Sequence, residues 1–418
     1  MKHIDLRKKY PEFVYESSAW VIENNNLLIS FKFKIGEEFE FNPKITIKNI
    51  NVERINDIKA TVNNLVFNIG LVEMFSYWKA FCSPKIIVNA GYLDDYQINW
   101  WKKLLNNGMG QYFYENQIDF RDEKFIEIVS TTHVLTVEPL KVYGNKILVP
   151  VGGGKDSSVT LEILKNNFND VSSFLLNPSK ASLETVKIAE VDSVIVLRDL
   201  DTQLLNLGSE YLNGHTPFTA VLSFVSLLVS VIGEYKYLIF SNEQSSNEGN
   251  TNYLKTEINH QYSKSFEFEN DFREYNNKYL SNVDYFSFLR PIFDIQISKI
   301  LSNYDKYYSV IRSCNVGQKT DTWCGKCPKC LSTFILLFPF SKENTLKIFG
   351  GNLIEDKPMQ SILNSLIDEN TVKPFECVGT RHELRVALGL EKDNDLMQFW
   401  STNNNLPENF KDILQKAI

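Results

Sequence analysis

The sequence predicts an α/β protein built on a doubly wound parallel sheet, with an N-terminal α+β domain and a helical C-terminal region. Two observations predict this class. From Lys146 onward, short apolar runs alternate with helical patterns, which is the order of elements in parallel sheets. The uncharged stretch Thr216–Gly233 is followed at once by the apolar run Tyr237–Ser241, as expected for a helix buried on such a sheet. The predicted regions are 1–140, 141–340 and 341–418.

The first region, residues 1–140, contains the pattern of a β-hairpin. Leu28–Ile35 and Glu38–Phe41 alternate apolar and polar residues, and Gly36-Glu37 lies between them. A helical pattern follows from about Thr61 to Phe81. Strands followed by a helix predict a small α+β domain.

The middle region alternates strands and helices, and the last region is helical. Beyond Phe340, Leu, Ile and Phe recur at helical spacing down to Ile418. Because each strand of the middle region is followed by a helix, we expect the strands to be parallel. They are Ile147–Val151, Ser173–Leu176, Ser193–Val196 and Leu238–Ser241, with helices after Ser157, near Leu183–Glu190 and over Thr216–Gly233.

The stretch Thr216–Gly233 carries no charge and is long enough to be considered as a membrane span. Small hydroxyl residues recur along it at steps of three and four, which places them on one side of a helix. Such a stripe allows close packing, so we expect a helix buried in the protein instead. The stripe consists of Thr216, Thr219, Ser223, Ser226 and Ser230.

The composition predicts a globular protein of the cytoplasm. Hydrophobic residues make up 43% of the 418 residues and charged residues 23%, which excludes a disordered chain. The net charge is −7 and no stripe of Lys and Arg follows the chain, so we expect no nucleic-acid partner. The N-terminus lacks the apolar core of a signal peptide. The six cysteines are therefore expected to be reduced thiols or metal ligands.

Residues 148–158, Leu-Val-Pro-Val-Gly-Gly-Gly-Lys-Asp-Ser-Ser, predict a phosphate-binding loop between a strand and a helix. Consecutive glycines let backbone N–H groups point at one anion, and the following helix adds its positive N-terminal end. A glycine-rich turn without a ligand is the alternative, but the attached Lys-Asp-Ser-Ser favours a nucleotide. The predicted nucleotide-binding residues of this loop are Gly152, Gly153, Gly154, Lys155, Asp156, Ser157 and Ser158.

Four cysteines form a second constellation: Cys314, Cys324, Cys327 and Cys330. Their gaps of nine, two and two residues suit a tetrahedral Zn²⁺, because a Cys-x-x-Cys turn presents two sulfurs to one ion. An iron–sulfur cluster and a redox-active or sulfur-carrying pair remain open with the same residues.

Polar segments follow the strand Leu238–Ser241. Ser241–Asn250 carries amides, hydroxyls and two carboxylates at a strand end, where α/β sheets bind ligands, although a plain polar turn has the same composition. Asn259–Phe266 is dense in donors and proton carriers, and either Arg290 or Arg312 can hold an anionic substrate or form a surface ion pair. We expect nucleotide contacts from Asn242 and Glu243, and substrate contacts from Asn247, Tyr262, Lys264, Arg290 and Arg312.

The loop resembles the Ser-Gly-Gly-x-Asp-Ser signature of the PP-loop ATP pyrophosphatases, with Gly152 in place of the first serine. Over residues 149–379 the chain resembles more closely the MurL family, the ATP-dependent UDP-N-acetylmuramoyl-L-alanyl-L-glutamate epimerases of peptidoglycan synthesis. The first 140 residues match less distinctly. The motifs that carry the resemblance are Pro150–Ser157, His215–Phe218, Ser241–Glu243, Asn247–Gly249, Asn259–Glu269, Leu289–Pro291, the Cys314–Cys330 cluster and Lys373–Gly379.

This resemblance implies a PP-loop (HUP-like) core and an epimerase that uses ATP and Mg²⁺ on a small-molecule UDP-sugar dipeptide. Transfer of AMP to the terminal α-carboxylate, with pyrophosphate leaving, makes the α-proton accessible to a base. Asp156 and Lys155 would act at the phosphates. The proton carriers stay open among Cys377, Glu376, His260, Tyr262 and His215.

Two other functions share these motifs. A PP-loop synthase of the 7-cyano-7-deazaguanine type also activates a carboxylate with ATP and carries a cysteine cluster, but it does not explain the N-terminal region or Lys373–Gly379. A nucleotide-binding regulatory protein without turnover is the second alternative. Pyrophosphate release separates an enzyme from a binder, and the chirality of the product separates an epimerase from a synthase.

Overall fold

The computed structural model describes residues 2–132 and 137–418; residues 133–136 of the predicted first region lie outside the described residues. Most strands form one sheet of 11 strands, and β11 and β12 pair separately. The strands are β1 (Glu12–Glu23), β2 (Asn26–Ile35), β3 (Phe39–Phe41), β4 (Lys44–Ile47), β5 (Lys85–Val88), β6 (Glu127–Ser130), β7 (Ile147–Pro150), β8 (Val171–Leu176), β9 (Asp192–Asp199), β10 (Tyr237–Phe240), β11 (Thr251–Tyr253), β12 (Thr256–Ile258) and β13 (Asp284–Ser287).

Helices cover the sheet and form the C-terminal part of the chain. They are α1 (Lys2–Lys9), α2 (Val52–Asp57), α3 (Lys59–Glu73), α4 (Phe75–Phe81), α5 (Asp95–Gly108), α6 (Gly110–Glu115), α7 (Lys155–Asn167), α8 (Lys180–Ala189), α9 (Thr202–Leu205), α10 (Phe218–Gly233), α11 (Phe266–Tyr279), α12 (Asp294–Leu301), α13 (Pro328–Leu337), α14 (Lys342–Phe349), α15 (Gln360–Ile367), α16 (Arg381–Ala387) and α17 (Glu408–Ala417). The helices α14 to α17 match the helical pattern predicted beyond Phe340.

One half of the sheet is parallel and has the order β9-β8-β7-β10-β13. The chain starts at the central β7, moves outward on one side through β8 and β9, and then returns to add β10 and β13 on the other side. Ligands bind beyond the carboxyl ends of the strands at such a switch point, here between β7 and β10. The predicted α/β fold with a parallel sheet is confirmed, as are all four predicted strands of this region.

Both faces of the parallel strands are buried under helices. Leu148 of β7 belongs to the hydrophobic cluster that contains Phe224 of α10. Its neighbours Ile147 and Val149 belong to a second cluster, which contains Leu161 of α7. Because successive residues of a strand face opposite sides, strands buried on both faces are apolar throughout, and this is the pattern that the sequence shows.

The N-terminal half of the sheet is mixed. The predicted hairpin is confirmed, since β2 and β3 pair antiparallel with Phe33 opposite Phe41. Strand β4 pairs antiparallel with β9, with Ile45 opposite Arg198. The sheet is therefore continuous between the predicted N-terminal region and the parallel half.

Helix α10 is buried, as the hydroxyl stripe predicts. It begins at Phe218, directly after Pro217, and it packs against α3. Ser223 and Ser230 are fully buried, and their hydroxyls donate to the carbonyls one turn earlier at 2.9 Å. In the described part of the chain, no helix combines the length and apolar character needed to cross a membrane.

Candidate active site

A cavity of about 740 Å³ lies beyond the carboxyl ends of β7 and β10, at the switch point of the parallel strands. One side is formed by the segment 151–157, which we call the loop wall; its lining residues are Val151, Gly152, Gly154, Asp156 and Ser157. The other side is formed by Lys264, Lys329 and Cys377, which we call the thiol wall. Phe174, Leu176, Phe218, Leu222 and Phe240 add apolar surface.

The loop wall consists of the turn from β7 into α7. Gly152, Gly154, Asp156 and Ser157 line the cavity. Gly154 is the N-cap of α7 and has extended backbone angles, and the first turn of this helix lies at the cavity because Asp156 and Ser157 line it. A helix N-terminus with free backbone N–H groups favours an anion. The wall therefore has the backbone geometry expected of a phosphate site.

Gly153 has a conformation that only glycine adopts without strain. Its φ is +85°, and a Cβ there would lie 2.6 Å from the backbone nitrogen of Ser182 and 2.8 Å from the carbonyl carbon of Ala181. The backbone N–H of Arg312 donates to the Gly153 carbonyl at 2.8 Å. At Gly152, by contrast, a Cβ would meet no atom within 4 Å. Gly153 is thus clamped between two segments while Gly152 faces open space.

Lys155 does not line the cavity. It is buried, and its ammonium group forms ion pairs with Asp156 and Asp294. Burial by itself would raise the pKa of Asp156, but the charges of Lys155 and Lys329 outweigh it and the pKa is lowered. Ser158 is also buried, and its hydroxyl donates to the Gly154 carbonyl at 2.9 Å. Lys155 and Ser158 therefore stabilise the loop from the protein interior and do not contact the cavity.

Asn242 and Glu243 follow the end of β10 and line the cavity. The Asn242 amide donates to the Ser287 hydroxyl at 3.0 Å, which fixes its orientation. Burial and the charge of Asp156 raise the pKa of Glu243. Two carboxyl groups thus face one cavity and repel each other, an arrangement that a divalent cation would stabilise.

The thiol wall brings together three segments that are distant in sequence. The Lys264 ammonium donates to the Cys377 sulfur at 3.1 Å, and the Lys329 ammonium donates to the Cys377 carbonyl. Burial would raise the pKa of the Cys377 thiol, but Lys264 and Lys329 more than offset it, and the pKa is lowered. The pKa of Lys264 is raised, because Cys377 and Glu243 outweigh the effect of burial. Both shifts favour the charged forms of the pair, a thiolate and an ammonium ion.

The other predicted proton carriers lie in different positions. His260 is buried behind the thiol wall with its Nε2 3.8 Å from the Cys377 sulfur, and burial lowers the pKa of His260 to about 3. The His215 ring lies 5.5 Å from that of His260, and burial lowers the pKa of His215 to about 3 as well. Glu376 lines the cavity, and burial raises its pKa. The Tyr262 hydroxyl donates to Asp271 at 3.3 Å, away from the cavity lining.

Of the five predicted substrate-binding residues, Lys264 and Arg312 line the cavity. Arg290 is fully buried; it donates to the Glu243 carbonyl at 2.8 Å and to the Lys264 carbonyl at 2.5 Å. Arg290 therefore ties the strand end to the thiol wall. The Asn247 side chain accepts a hydrogen bond from the backbone of residue 266 at 2.8 Å and does not line the cavity.

The four predicted metal ligands come together. All four sulfurs lie within 4.8 Å of one another, and the pairs Cys314–Cys327 and Cys324–Cys330 are 3.7 Å apart. Tetrahedral zinc with bonds of about 2.3 Å places its sulfurs roughly 3.8 Å apart, so the group could hold such an ion. A backbone N–H donates to the Cys314 sulfur at 3.2 Å and another to the Cys324 sulfur at 3.4 Å, which suits thiolates.

Sequence reasoning missed two residues of the site. Lys329 lies between Cys327 and Cys330, at the start of α13. Its position between two predicted metal ligands was a signal in the sequence that could have drawn attention to it. Asp294, which pairs with Lys155, begins α12 and carries no local signal of a site. It meets the loop only because α12 packs against α7.

Two family models match most of the chain. The family model described as the MurL N-terminal domain matches residues 5–288, and the one described as the MurL C-terminal domain matches residues 308–416. A protein of Micromonospora sp. named UDP-N-acetyl-alpha-D-muramoyl-L-alanyl-L-glutamate epimerase is 31% identical over 346 residues, which are 80% of this chain and 76% of that protein.

Two further relatives carry the same name. The protein of Xanthomonas oryzae pv. oryzae is 29% identical over 77% of this chain and 73% of its own length. The protein of Salinispora tropica is 31% identical over 79% of this chain and 74% of its own length. With both family models matched along most of its length, the chain belongs to the MurL family.

Proposed function

We propose that this protein converts the terminal L-glutamate of UDP-N-acetylmuramoyl-L-alanyl-L-glutamate to D-glutamate for peptidoglycan synthesis, with cleavage of ATP to AMP and pyrophosphate. The names of the three relatives support the substrate and the reaction. The single observation that carries the proposal is that one cavity joins a glycine loop suited to phosphates with a thiol beside an ammonium group.

The loop wall would hold the ATP phosphates. Gly152, Gly154 and Ser157 offer backbone and hydroxyl groups at the start of α7, where an anion is favoured. Asp156 and Glu243 would hold Mg²⁺, which would neutralise charge on the phosphates. Burial raises the pKa of Glu243, and the charge of Asp156 raises it further; this repulsion between the two carboxyl groups supports the role.

ATP would solve a problem of acidity. Removing the α-proton of a glutamate with a free carboxylate places a second negative charge beside the first. Transfer of AMP to the carboxylate forms a carboxyl-adenylate and releases pyrophosphate, and the carbonyl oxygen can then accept the electron pair of the broken C–H bond. A base would remove the proton, an acid would return one to the other face, and hydrolysis would release AMP and the D-glutamyl product.

The metal site, the division of the chain, the fold family of the core and the location of the protein complete this proposal. Zinc at Cys314, Cys324, Cys327 and Cys330 would fix the segment that carries Arg312 and Lys329 to the cavity. The division into 1–140, 141–340 and 341–418 and the PP-loop (HUP-like) assignment of the core also remain proposals, as does a cytoplasmic location.

The test is incubation with ATP, Mg²⁺ and UDP-N-acetylmuramoyl-L-alanyl-L-glutamate in D₂O, following AMP, pyrophosphate and the chirality of the glutamate after hydrolysis. We expect D-glutamate with deuterium at Cα, formed only when ATP is present. Formation of D-glutamate in the absence of ATP would contradict the proposed carboxyl-adenylate intermediate. AMP formation with a deazapurine carboxylate instead of the dipeptide would favour a synthase, and nucleotide binding without turnover of either would favour a regulatory protein.

A further inference from the structure

We propose that Cys377 is the thiolate that removes the α-proton of the activated glutamyl group, and that Lys264 is the positioning residue that keeps this sulfur ionised and facing the cavity. This inference rests on the proposed function. Cys377 is then the base among the candidates that the sequence leaves open. Lys264, predicted from the sequence to contact the substrate, instead controls the ionisation of the Cys377 thiol.

The geometry selects this pair. Lys264 donates to the Cys377 sulfur at 3.1 Å, and both residues line the cavity that the loop wall closes on the other side. The backbone of Lys264 is held in turn by Arg290, which is fully buried and donates to the Lys264 carbonyl at 2.5 Å. The backbone of Cys377 is held by the Lys329 ammonium. Both partners are therefore fixed in place from behind.

The neighbouring groups are less suited to the task. The Nε2 of His260 lies 3.8 Å from the Cys377 sulfur, and His260 does not line the cavity. Glu376 lines the cavity, but burial raises its pKa, which favours the protonated form that cannot act as a base. The charged and titratable groups around the Cys377 sulfur are Lys264, Lys329, Asp156, His260 and Glu376.

The proposed step conserves charge within the cavity. The Cα–H bond breaks, its proton forms an S–H bond with Cys377, and its electron pair moves to the oxygen of the activated carbonyl. Before the step, the thiolate and the Lys264 ammonium neutralise each other. After it the thiol is neutral, so the ammonium charge is available to stabilise the enolate oxygen. A water molecule donates the proton that returns to the opposite face of Cα and becomes hydroxide. The Cys377 thiol then releases its proton to this hydroxide through solvent, which restores water and the thiolate.

The first experiment measures the thiol without ATP or substrate, so its result does not depend on the proposed function. Iodoacetamide modification of Cys377 is followed by peptide mass spectrometry across pH in the wild type, Lys264→Met and Lys264→Arg. Lys165→Met is the matched control, because Lys165 lies on α7 and donates to the Ala189 carbonyl. Thermal unfolding of each variant verifies that it is folded.

We expect Lys264→Met to move the midpoint of modification to higher pH and to slow the reaction at pH 7 by roughly tenfold for each unit of pKa. Lys264→Arg should keep most of the wild-type profile, and Lys165→Met all of it. An unchanged midpoint in a folded Lys264→Met protein would overturn the role of Lys264. A shift of equal size in Lys165→Met would do so as well.

A second experiment tests the base itself. In Cys377→Ala, deuterium exchange at Cα should fall by a factor of about 10² to 10⁴, while the initial release of pyrophosphate remains. In Lys264→Met the pH at which exchange reaches half its maximum should rise with the thiol midpoint. Wild-type exchange in Cys377→Ala would refute the thiolate base. If wild-type protein released no pyrophosphate while the thiol midpoint still shifted, the proposed function would fail and the pairing of Lys264 with Cys377 would stand.

Discussion

The two walls of the cavity differ in how they present chemistry. The loop wall comes from one continuous segment, residues 151–157, and offers mainly backbone groups at the start of a helix. The thiol wall comes from three separate segments and offers ionisable side chains, namely Lys264, Lys329 and Cys377. A change of backbone shape should therefore affect mainly the loop wall, in which Asp156 is the one charged side chain that lines the cavity, and changes of charge should affect Asp156 and the thiol wall.

The cysteine cluster connects the two walls. Arg312, two residues before Cys314, donates its backbone N–H to Gly153 of the loop wall. Lys329, beside Cys330, donates to the carbonyl of Cys377. Residues that flank the cluster thus contact both walls. Variants can be chosen to act on the loop wall, on the cluster, or behind the thiol wall.

The largest effect is expected at the charged residue of the loop wall. If Asp156 holds Mg²⁺ beside the ATP phosphates as proposed, Asp156→Ala should reduce pyrophosphate release by roughly a hundredfold or more, because such a charge is worth several kcal/mol. Pyrophosphate formation and thermal unfolding are measured together. Asp170→Ala, at an exposed position after α7, is the matched control. Wild-type turnover in folded Asp156→Ala would show that the loop wall works through its backbone alone.

The next effect concerns the cluster between the walls. If the four cysteines hold a metal ion as proposed, Cys327→Ser should lower the amount of bound metal. It should also lower the free energy of unfolding by roughly several kcal/mol, because metal binding contributes directly to folding. ATP binding should weaken as well, since the segment that carries Arg312 loses its anchor. Elemental analysis and calorimetry measure these changes.

The control for the cluster is Cys82→Ala. Cys82 is buried in the N-terminal half of the protein, outside the cluster, and its substitution should leave the metal content unchanged. If Cys327→Ser retained its full metal content, the four-cysteine site would be wrong.

A smaller effect separates shape from charge within the loop wall. Gly153→Ala should lower the free energy of unfolding by about 1–3 kcal/mol, because its Cβ would meet backbone atoms and its φ of +85° is strained for alanine. Gly152→Ala, whose Cβ would meet nothing within 4 Å, should leave stability unchanged and weaken ATP binding. Equal stability of the two variants in chemical denaturation would contradict this distinction.

The effect that is smallest at neutral pH, and that grows only in acid, lies behind the thiol wall. Burial, together with Lys264, lowers the pKa of His260 from 6.5 to about 3, so the unfolded chain binds a proton that the folded chain excludes in this range. The free energy of unfolding should therefore fall as the pH decreases from 6.5 toward 3, by up to about 1.4 kcal/mol per pH unit for this group. Denaturant titrations at several pH values should show a weaker dependence in His260→Gln.

His382 provides a control of opposite sign. Its hydrogen bond to Asp393 raises its pKa above 6.5, so its contribution to stability is present below pH 6.5 and is lost as the pH rises through the raised pKa. His382→Gln should accordingly retain the decrease in the free energy of unfolding between pH 6.5 and 3. If His260→Gln and His382→Gln changed the decrease in the free energy of unfolding below pH 6.5 equally, the burial of His260 would not be the cause of that decrease.

The sequence alone determined the features that depend on neighbouring residues. The hairpin β2–β3, the strand–loop–helix at Ile147–Asn167 and the buried helix α10 follow from periodicity, glycines and the hydroxyl stripe. The cysteine spacing likewise predicted sulfurs that lie within 4.8 Å of one another. In each case residues close in the chain specify the structure, so local patterns were sufficient.

Only the tertiary structure decided which side chains face the cavity. Lys155 and Arg290 look like ligands for anions in the sequence, yet both are buried and bind other protein groups. Lys264 and Cys377 are 113 residues apart, and their contact forms only when distant segments pack together. Continuity of the sheet through the pairing of β4 with β9 was equally absent from local patterns. Burial and long-range pairing depend on the whole chain, which is why they required the fold.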